Sequence, residues 1–225
     1  MAEKRPPLIL VNGSPRGLNS NTRVLLEALG RGLTHANRVF EVFYLQKPSD
    51  RTRLLENFHH YDTILWAFPM YTDAMPGNVK AFWEDLTDTM PNQTGKTFSY
   101  MVQMGFPEAS QANMLVAYLH WFSKHLGATH GGVLVRGGVE GIQIQPHWMK
   151  KKVFAYLKTA GYNLGHDNGF DAELLRKIAT PYRLNWWVRM FLTLLKYFGL
   201  VNFYWTQQLK RNQVFSKRFD TPYLP

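Results

Sequence analysis

The 225-residue chain contains no cysteine, which removes disulfide frameworks, thiolate zinc sites and cysteine nucleophiles together. Nor does it hold an apolar run near the roughly 18 residues that a membrane-spanning helix needs. The earliest run, Leu8-Ile9-Leu10-Val11, is too short for the core of a signal peptide. A soluble, cytoplasmic protein is the expectation. His59, His60, His120, His125 and His130 have no paired carboxylates at ligand spacing, so no metal site is expected. Acidic residues are scarce at one end only: residues 176–225 hold nine Lys and Arg against the single Asp220, while the first 175 residues are close to balanced. The net charge of +10 therefore belongs to the tail, and it does not predict nucleic-acid binding, which needs a basic stripe on the folded body.

What is present is ordinary globular material, 45% hydrophobic and 19% charged, enough to build a packed core. Over the first 160 residues, strand-like and helix-like segments alternate. Leu8–Val11 reads as a buried strand closed by the turn signal Asn12-Gly13. A helix is expected over 21–33, a strand over 39–45, a short helix over 50–58 and a strand over 63–68. Pro76 opens a helix in which Val79, Phe82, Trp83 and Leu86 share a face. A strand over 97–104, a helix carrying Leu115, Leu119, Phe122 and Leu126, a strand over 132–135 and a helix over 146–160 complete five strand-helix units. Such a series predicts an open α/β parallel sheet with helices on both faces, because parallel neighbours require right-handed crossovers. Its ligand belongs beyond the carboxyl ends of the strands, at the switch point.

The loop after the first strand reads Gly13-Ser14-Pro15-Arg16-Gly17-Leu18-Asn19-Ser20-Asn21-Thr22. Hydroxyls, a guanidinium and a helix N-terminus together favour an anion. The loop lacks the Gly-Lys-Ser/Thr of a Walker motif and the G-x-G-x-x-G of a dinucleotide fingerprint, so a monophosphate fits it best. Plain turn and N-cap chemistry would use the same residue types. The third strand runs into Pro69-Met70-Tyr71-Thr72-Asp73-Ala74-Met75-Pro76-Gly77, a proline-stiffened segment able to border a flat aromatic ring. After the fifth strand, Gly137-Gly138-Val139-Glu140-Gly141 is either a flexible loop or part of a substrate entrance.

With these loops in hand, the sequence resembles the flavodoxin-like NAD(P)H-dependent FMN reductase and quinone reductase family. The resemblance rests on residues 13–22, residues 69–82 and Gly105-Phe106-Pro107-Glu108, and the stretch from Asn202 to Tyr223 is similar to tails of some members. It implies a five-stranded sheet of order 2-1-3-4-5 with FMN between strands one and three. By the same resemblance Ser14, Arg16, Ser20, Asn21 and Thr22 would hold the FMN phosphate. Pro69, Met70, Tyr71 and Thr72 would border the ribityl chain and ring, with Gly105, Phe106 and Glu108 near the ring. Tyr71 would serve as a wall of the site or donate a hydrogen bond to an acceptor oxygen. NADPH or NADH would be the co-substrate, and a quinone, free flavin or other small molecule the electron acceptor. The rivals are a flavodoxin-type electron carrier, against which the positive charge argues because carriers of that kind are typically acidic, and an interaction module that has lost its flavin.

The flavin domain is expected to cover residues 1–165, with 166–225 a basic, aromatic helical extension. On a helix over 183–199, Trp187, Met190, Phe191, Leu194, Leu195 and Phe198 gather on one side, with Asn185, Arg189, Thr193 and Lys196 opposite. Packing in a homodimer and cover for the flavin domain rank ahead of a peripheral membrane contact for this stripe.

Overall fold

The protein is described by a computed structural model over residues 8–167, 169–197 and 202–221. Two compact units divide at Arg183 and Leu184. Phe198, Leu200, Pro222 and Tyr223, which the sequence reading assigns to the tail, lie outside the described residues.

The first unit is built on five parallel strands, β1 (Leu8–Asn12), β2 (Phe40–Tyr44), β3 (Thr63–Pro69), β4 (Thr97–Gln103) and β5 (Thr129–Arg136). Their order is β2-β1-β3-β4-β5, as expected of the flavodoxin-like arrangement. In the central pairing, Leu8 faces Thr63 and Asn12 faces Ala67, so β1 ends two residues before β3 and leaves room for a loop above it. Helices α1 (Asn21–His35), α2 (Pro48–Asn57), α3 (Gly77–Thr89), α4 (Asn113–His125), α5 (His147–Asp167) and α6 (Ala172–Ile178) cover the sheet.

Alternation along the strands sends two different sets of side chains to the two faces. Ile9 and Val11 of β1, Ile64, Trp66 and Phe68 of β3, and Phe98, Tyr100 and Val102 of β4 point toward α2, α3 and α4. There they join Phe58, Phe82, Trp83 and Phe122 in a core dominated by rings. Trp83 stacks on Phe122 at 4.5 Å and meets Trp66 edge-on at 5.6 Å, geometries that aromatic quadrupoles favour. The opposite face is aliphatic and small. Leu8, Leu10, Leu65, Ala67, Met101 and Leu134 meet Leu25, Leu29 and Leu33 of α1 and Leu157, Ala160 and Leu164 of α5. Here α1 and α5 approach so closely that a Cβ on Gly32 would sit 2.0 Å from the Lys158 carbonyl oxygen, and one on Gly161 would sit 2.0 Å from that of Leu29.

Three elements differ from their expected bounds. β5 starts at Thr129, three residues before its expected start at Gly132, and a register shift opposite Phe98–Tyr100 absorbs Gly132 at φ +99°. α5 continues past Ala160 to Asp167 because its glycines serve the contact with α1. α6, read as part of the extension, packs Leu174 and Ile178 into the small-residue core. The Asp171 side chain caps it by accepting from Leu174 N–H at 2.9 Å.

The second unit contains α7 (Trp186–Tyr197) and α8 (Phe203–Arg211). None of the residues of α7 is buried.

Candidate active site

The carboxyl ends of β1, β3, β4 and β5 carry the loops singled out in the sequence, and hydrogen bonds join them to one another. The first begins at Asn12, which is wholly buried. Its Oδ1 accepts from Ser14 N–H at 2.9 Å and its Nδ2 donates to Ser20 Oγ at 3.2 Å, so a single side chain fixes both arms of the loop. Ser20 caps α1: its hydroxyl donates to Gly17 O at 2.6 Å and accepts from Arg23 N–H at 3.1 Å. With one donor and two acceptor sites, that hydroxyl is fully used. Asn21 is likewise committed, donating to Val139 O at 3.0 Å and accepting from Gln143 Nε2 at 2.9 Å.

What remains toward the loop is Ser14, 1% exposed, the solvent-exposed Arg16 and the N–H groups of Asn21 and Thr22. In the first turn of a helix those N–H groups have no carbonyl of their own to bond, and they stand at the positive end of the helix dipole. Thr22, buried beneath them, accepts from Gln103 Nε2 of β4 at 3.4 Å.

The second loop leaves β3 through Pro69 and Met70, both buried, and turns sharply. Tyr71 and Ala74 exchange hydrogen bonds of 2.9 and 3.0 Å. The two residues between them, Thr72 at φ +47° and Asp73 at φ +63°, are both left-handed. This is the backbone of a type I′ turn made without glycine, and a β-branched residue there is under strain. Tyr71 is held half-exposed at the rim.

Pro76 is the N-cap of α3, and Asn78 in the helix's first turn donates to Gly13 O at 3.1 Å, tying the second loop to the first. Asn78 Oδ1 is buried with no partner among the described residues.

The third and fourth loops are stitched together. Gly138 N–H donates to Phe106 O at 2.8 Å and Val139 N–H to Met104 O at 3.1 Å. Gly137 lies directly beneath the 105–108 loop, where a Cβ would be 2.5 Å from Phe106 O. The 137–141 segment is thus tied on both sides, contrary to its reading as a flexible loop. Gly105 and Phe106 are exposed at the rim, and Glu108 is half-buried and precedes a 3₁₀ turn over Ala109–Ala112. Farther out, an apolar recess of about 510 Å³ runs beside β5, lined by Val133, Val135, Ala109, Val116, Leu175 and Tyr182 among others. It involves none of the residues expected at the site. Among the described residues no group of three or more His, Asp or Glu could hold a metal ion.

A family model described as NADPH-dependent FMN reductase matches residues 6–135. The chain belongs to this family. As a member of the NADPH-dependent FMN reductase family it is a flavin-dependent oxidoreductase, with FMN as cofactor and NAD(P)H as co-substrate. Among solved structures, a putative quinone reductase from Klebsiella pneumoniae aligns with a TM-score of 0.59 at 15% identity, covering 82% of this chain and 99% of that one. An NAD(P)H:quinone oxidoreductase from Methanothermobacter marburgensis aligns at 0.55 and 16%, covering 72% and 98%. An FMN-dependent NADH-azoreductase from Bacillus anthracis, in complex with FMN, aligns at 0.53 and 11%, covering 72% and 100%. At these identities the likeness is one of fold. A search of curated proteins gave no match.

The residues present suit FMN. The loop of residues 13–22 offers hydroxyl, guanidinium and helix-end donors to a phosphate. The orphaned Asn78 Oδ1 is an acceptor at the junction of the first two loops, where a polyhydroxylated chain carries the donor it lacks. Asn12, Asn78, Gln103, Val139 and Gln143 were not among the expected site residues. Each acts through a partner on another element or across a tight turn; the only hints were the Asn12-Gly13 turn signal, the 69–82 stretch that holds Asn78 and the 137–141 loop that holds Val139.

Proposed function

We propose that the chain passes hydride from NAD(P)H through FMN to a quinone, flavin or other small acceptor. The observation that carries this reading is the loop from Ser14 to Thr22, built as an anion cradle on a buried asparagine and a capped helix. Ser14, Arg16, Thr22 and the N–H groups of Asn21 and Thr22 hold the phosphate. The Ser20 and Asn21 side chains keep those groups in position from behind. A phosphate there meets a guanidinium and a helix N-terminus at once, an arrangement that favours the ester over unphosphorylated riboflavin.

Held there, FMN would supply the redox chemistry, the transfer of hydride from nicotinamide to an acceptor. The chain's own part is placement. Pro69, Met70, Tyr71 and Thr72 form one border of the ring, and the rigid turn holds Tyr71 as a wall whose phenol can donate to an acceptor oxygen. Gly105, Phe106 and Glu108 form the other border, where the exposed Phe106 ring offers a flat surface to a nicotinamide or quinone. No side chain is required as a general acid or base. We place the protein in the cytoplasm and take it to act as a homodimer.

Steady-state oxidation of NADPH and NADH by FMN-loaded protein, with menadione or free FMN as acceptor, tests the reading. Turnover with either acceptor supports it. Protein that retains FMN but oxidises neither nucleotide is a carrier, and a colourless preparation without affinity for FMN removes the redox reading altogether.

A further inference from the structure

Helix α7 displays its apolar residues in an unusual way. Within the described residues none of its side chains is buried, and Phe191 and Leu194 are 57% and 56% exposed. At about 100° per residue, Trp187, Met190, Phe191 and Leu194 fall on one side, with Arg189, Thr193 and Lys196 on the other. A contiguous apolar stripe of this kind marks an interaction surface.

Three observations bear on what covers it. The first is charge. Residues 184–225 hold Arg189, Lys196, Lys210, Arg211, Lys217 and Arg218 against Asp220 alone. A second copy of the chain could cover the apolar side but, being equally basic, brings no counter-charge, whereas an anionic surface covers the one and neutralises the other. The second is length. The twelve described residues of α7 rise about 18 Å against the roughly 30 Å hydrocarbon core of a bilayer, and among the described residues no helix is long and apolar enough to cross a membrane; a helix of this kind suits an interface. The third is aromatic content. Trp186 and Trp187 stack at 3.6 Å and stand exposed at the start of α7, Tyr197 is exposed at its end, and Trp205 is exposed on α8. Amphipathic rings of this type concentrate where headgroups meet hydrocarbon.

We propose that α7 lies in the surface of an anionic lipid bilayer, its apolar side in the acyl boundary and its basic side toward the headgroups. Both needs of the helix are met there at once, burial of the Trp187–Leu194 stripe and neutralisation of the flanking charge. The inference concerns the second unit and is independent of the redox reading.

Co-sedimentation of the full chain with phosphatidylcholine vesicles, with and without phosphatidylglycerol, tests it. The chain should pellet with the phosphatidylglycerol vesicles and stay in solution with phosphatidylcholine alone. Replacing Arg189 and Lys196 together by Gln should weaken partitioning on the order of 25-fold, a basic residue near such a surface being worth about fivefold. Phe191→Glu with Leu194→Glu should abolish binding. Both variants should melt with the wild type, since no buried side chain is touched. Failure to pellet with anionic vesicles, equal partitioning into both vesicle types, or undiminished binding by the Phe191→Glu/Leu194→Glu variant would each overturn the proposal. So would light scattering that finds a dimer broken by that variant while wild-type protein ignores the vesicles.

Discussion

Replacing Gly161 by Ala probes the close contact that holds α1, and with it the loop of residues 13–22, against the rest of the sheet. The new Cβ would stand 2.0 Å from Leu29 O and 2.9 Å from Leu29 C, both main-chain atoms that cannot rotate away. Since carbon needs about 3.5 Å for a favourable contact, the two helices must separate locally by roughly 1.5 Å. Leu25, Leu29, Leu157 and Leu164 then lose part of their mutual dispersion, and overpacking of this kind costs about 3 kcal/mol or somewhat more. The better helix propensity of alanine returns about 1 kcal/mol. A net loss of about 2–3 kcal/mol should lower the urea midpoint by roughly 1 M at an m-value of about 2 kcal/mol/M. Gly77→Ala is the control, because nothing lies within 4 Å of a Cβ there; it should be neutral or stabilise slightly. A Gly161→Ala midpoint equal to or above wild type would refute the close-contact argument.

Four further outcomes follow from the site and its surroundings. Arg16→Ala should weaken FMN about tenfold, the low end for a charge-assisted bond since Arg16 is exposed, and leave riboflavin unchanged; equilibrium dialysis reads both, and equal losses would refute a phosphate role. Asn12→Ala strands the buried Ser14 N–H and should cost about 2–3 kcal/mol in chemical denaturation. Thr72→Gly relieves a left-handed β-branched residue and should raise stability by about 1 kcal/mol after glycine's own entropy cost, seen as a higher melting temperature. Burial, aided by nearby His120 and Lys124, holds the His130 imidazole below the ordinary histidine range. The unfolded chain therefore takes up a proton at a higher pH than the native one, so stability should fall as pH drops below about 6.5. His130→Gln should flatten that slope in melting curves collected against pH.

The sheet was legible because its strands are short, apolar and bounded by turns: Leu8–Val11 and Thr63–Phe68 have no other reading once a parallel sheet is inferred. Glycine misled where packing overrode propensity. Gly161 and Gly165 look like helix breakers, yet the crossing with α1 requires a residue without a side chain, and α5 runs on. The fifth strand was expected to open at Gly132, yet Gly131 and Gly132 lie inside it, at a bulge. In the site, the loop of residues 13–22 was readable from residue type and its place between strand and helix. The division of labour inside it was not, because Asn21 is occupied by Val139 and Gln143, both more than 100 residues away. Asn78 could not be found either, for its significance lies in one unpaired atom beside Gly13.

The ties among the four loops reach beyond their geometry. Asn78 to Gly13, Asn21 to Val139, Gly138 to Phe106 and Met70 N–H to the Gln103 carbonyl close a ring around the mouth of the sheet from protein atoms alone. A mouth already set in this way has little freedom left to surrender when a guest arrives, so binding energy goes into affinity and not into ordering. Cofactor should then leave and return without refolding, and protein stripped of its flavin should regain colour on mixing.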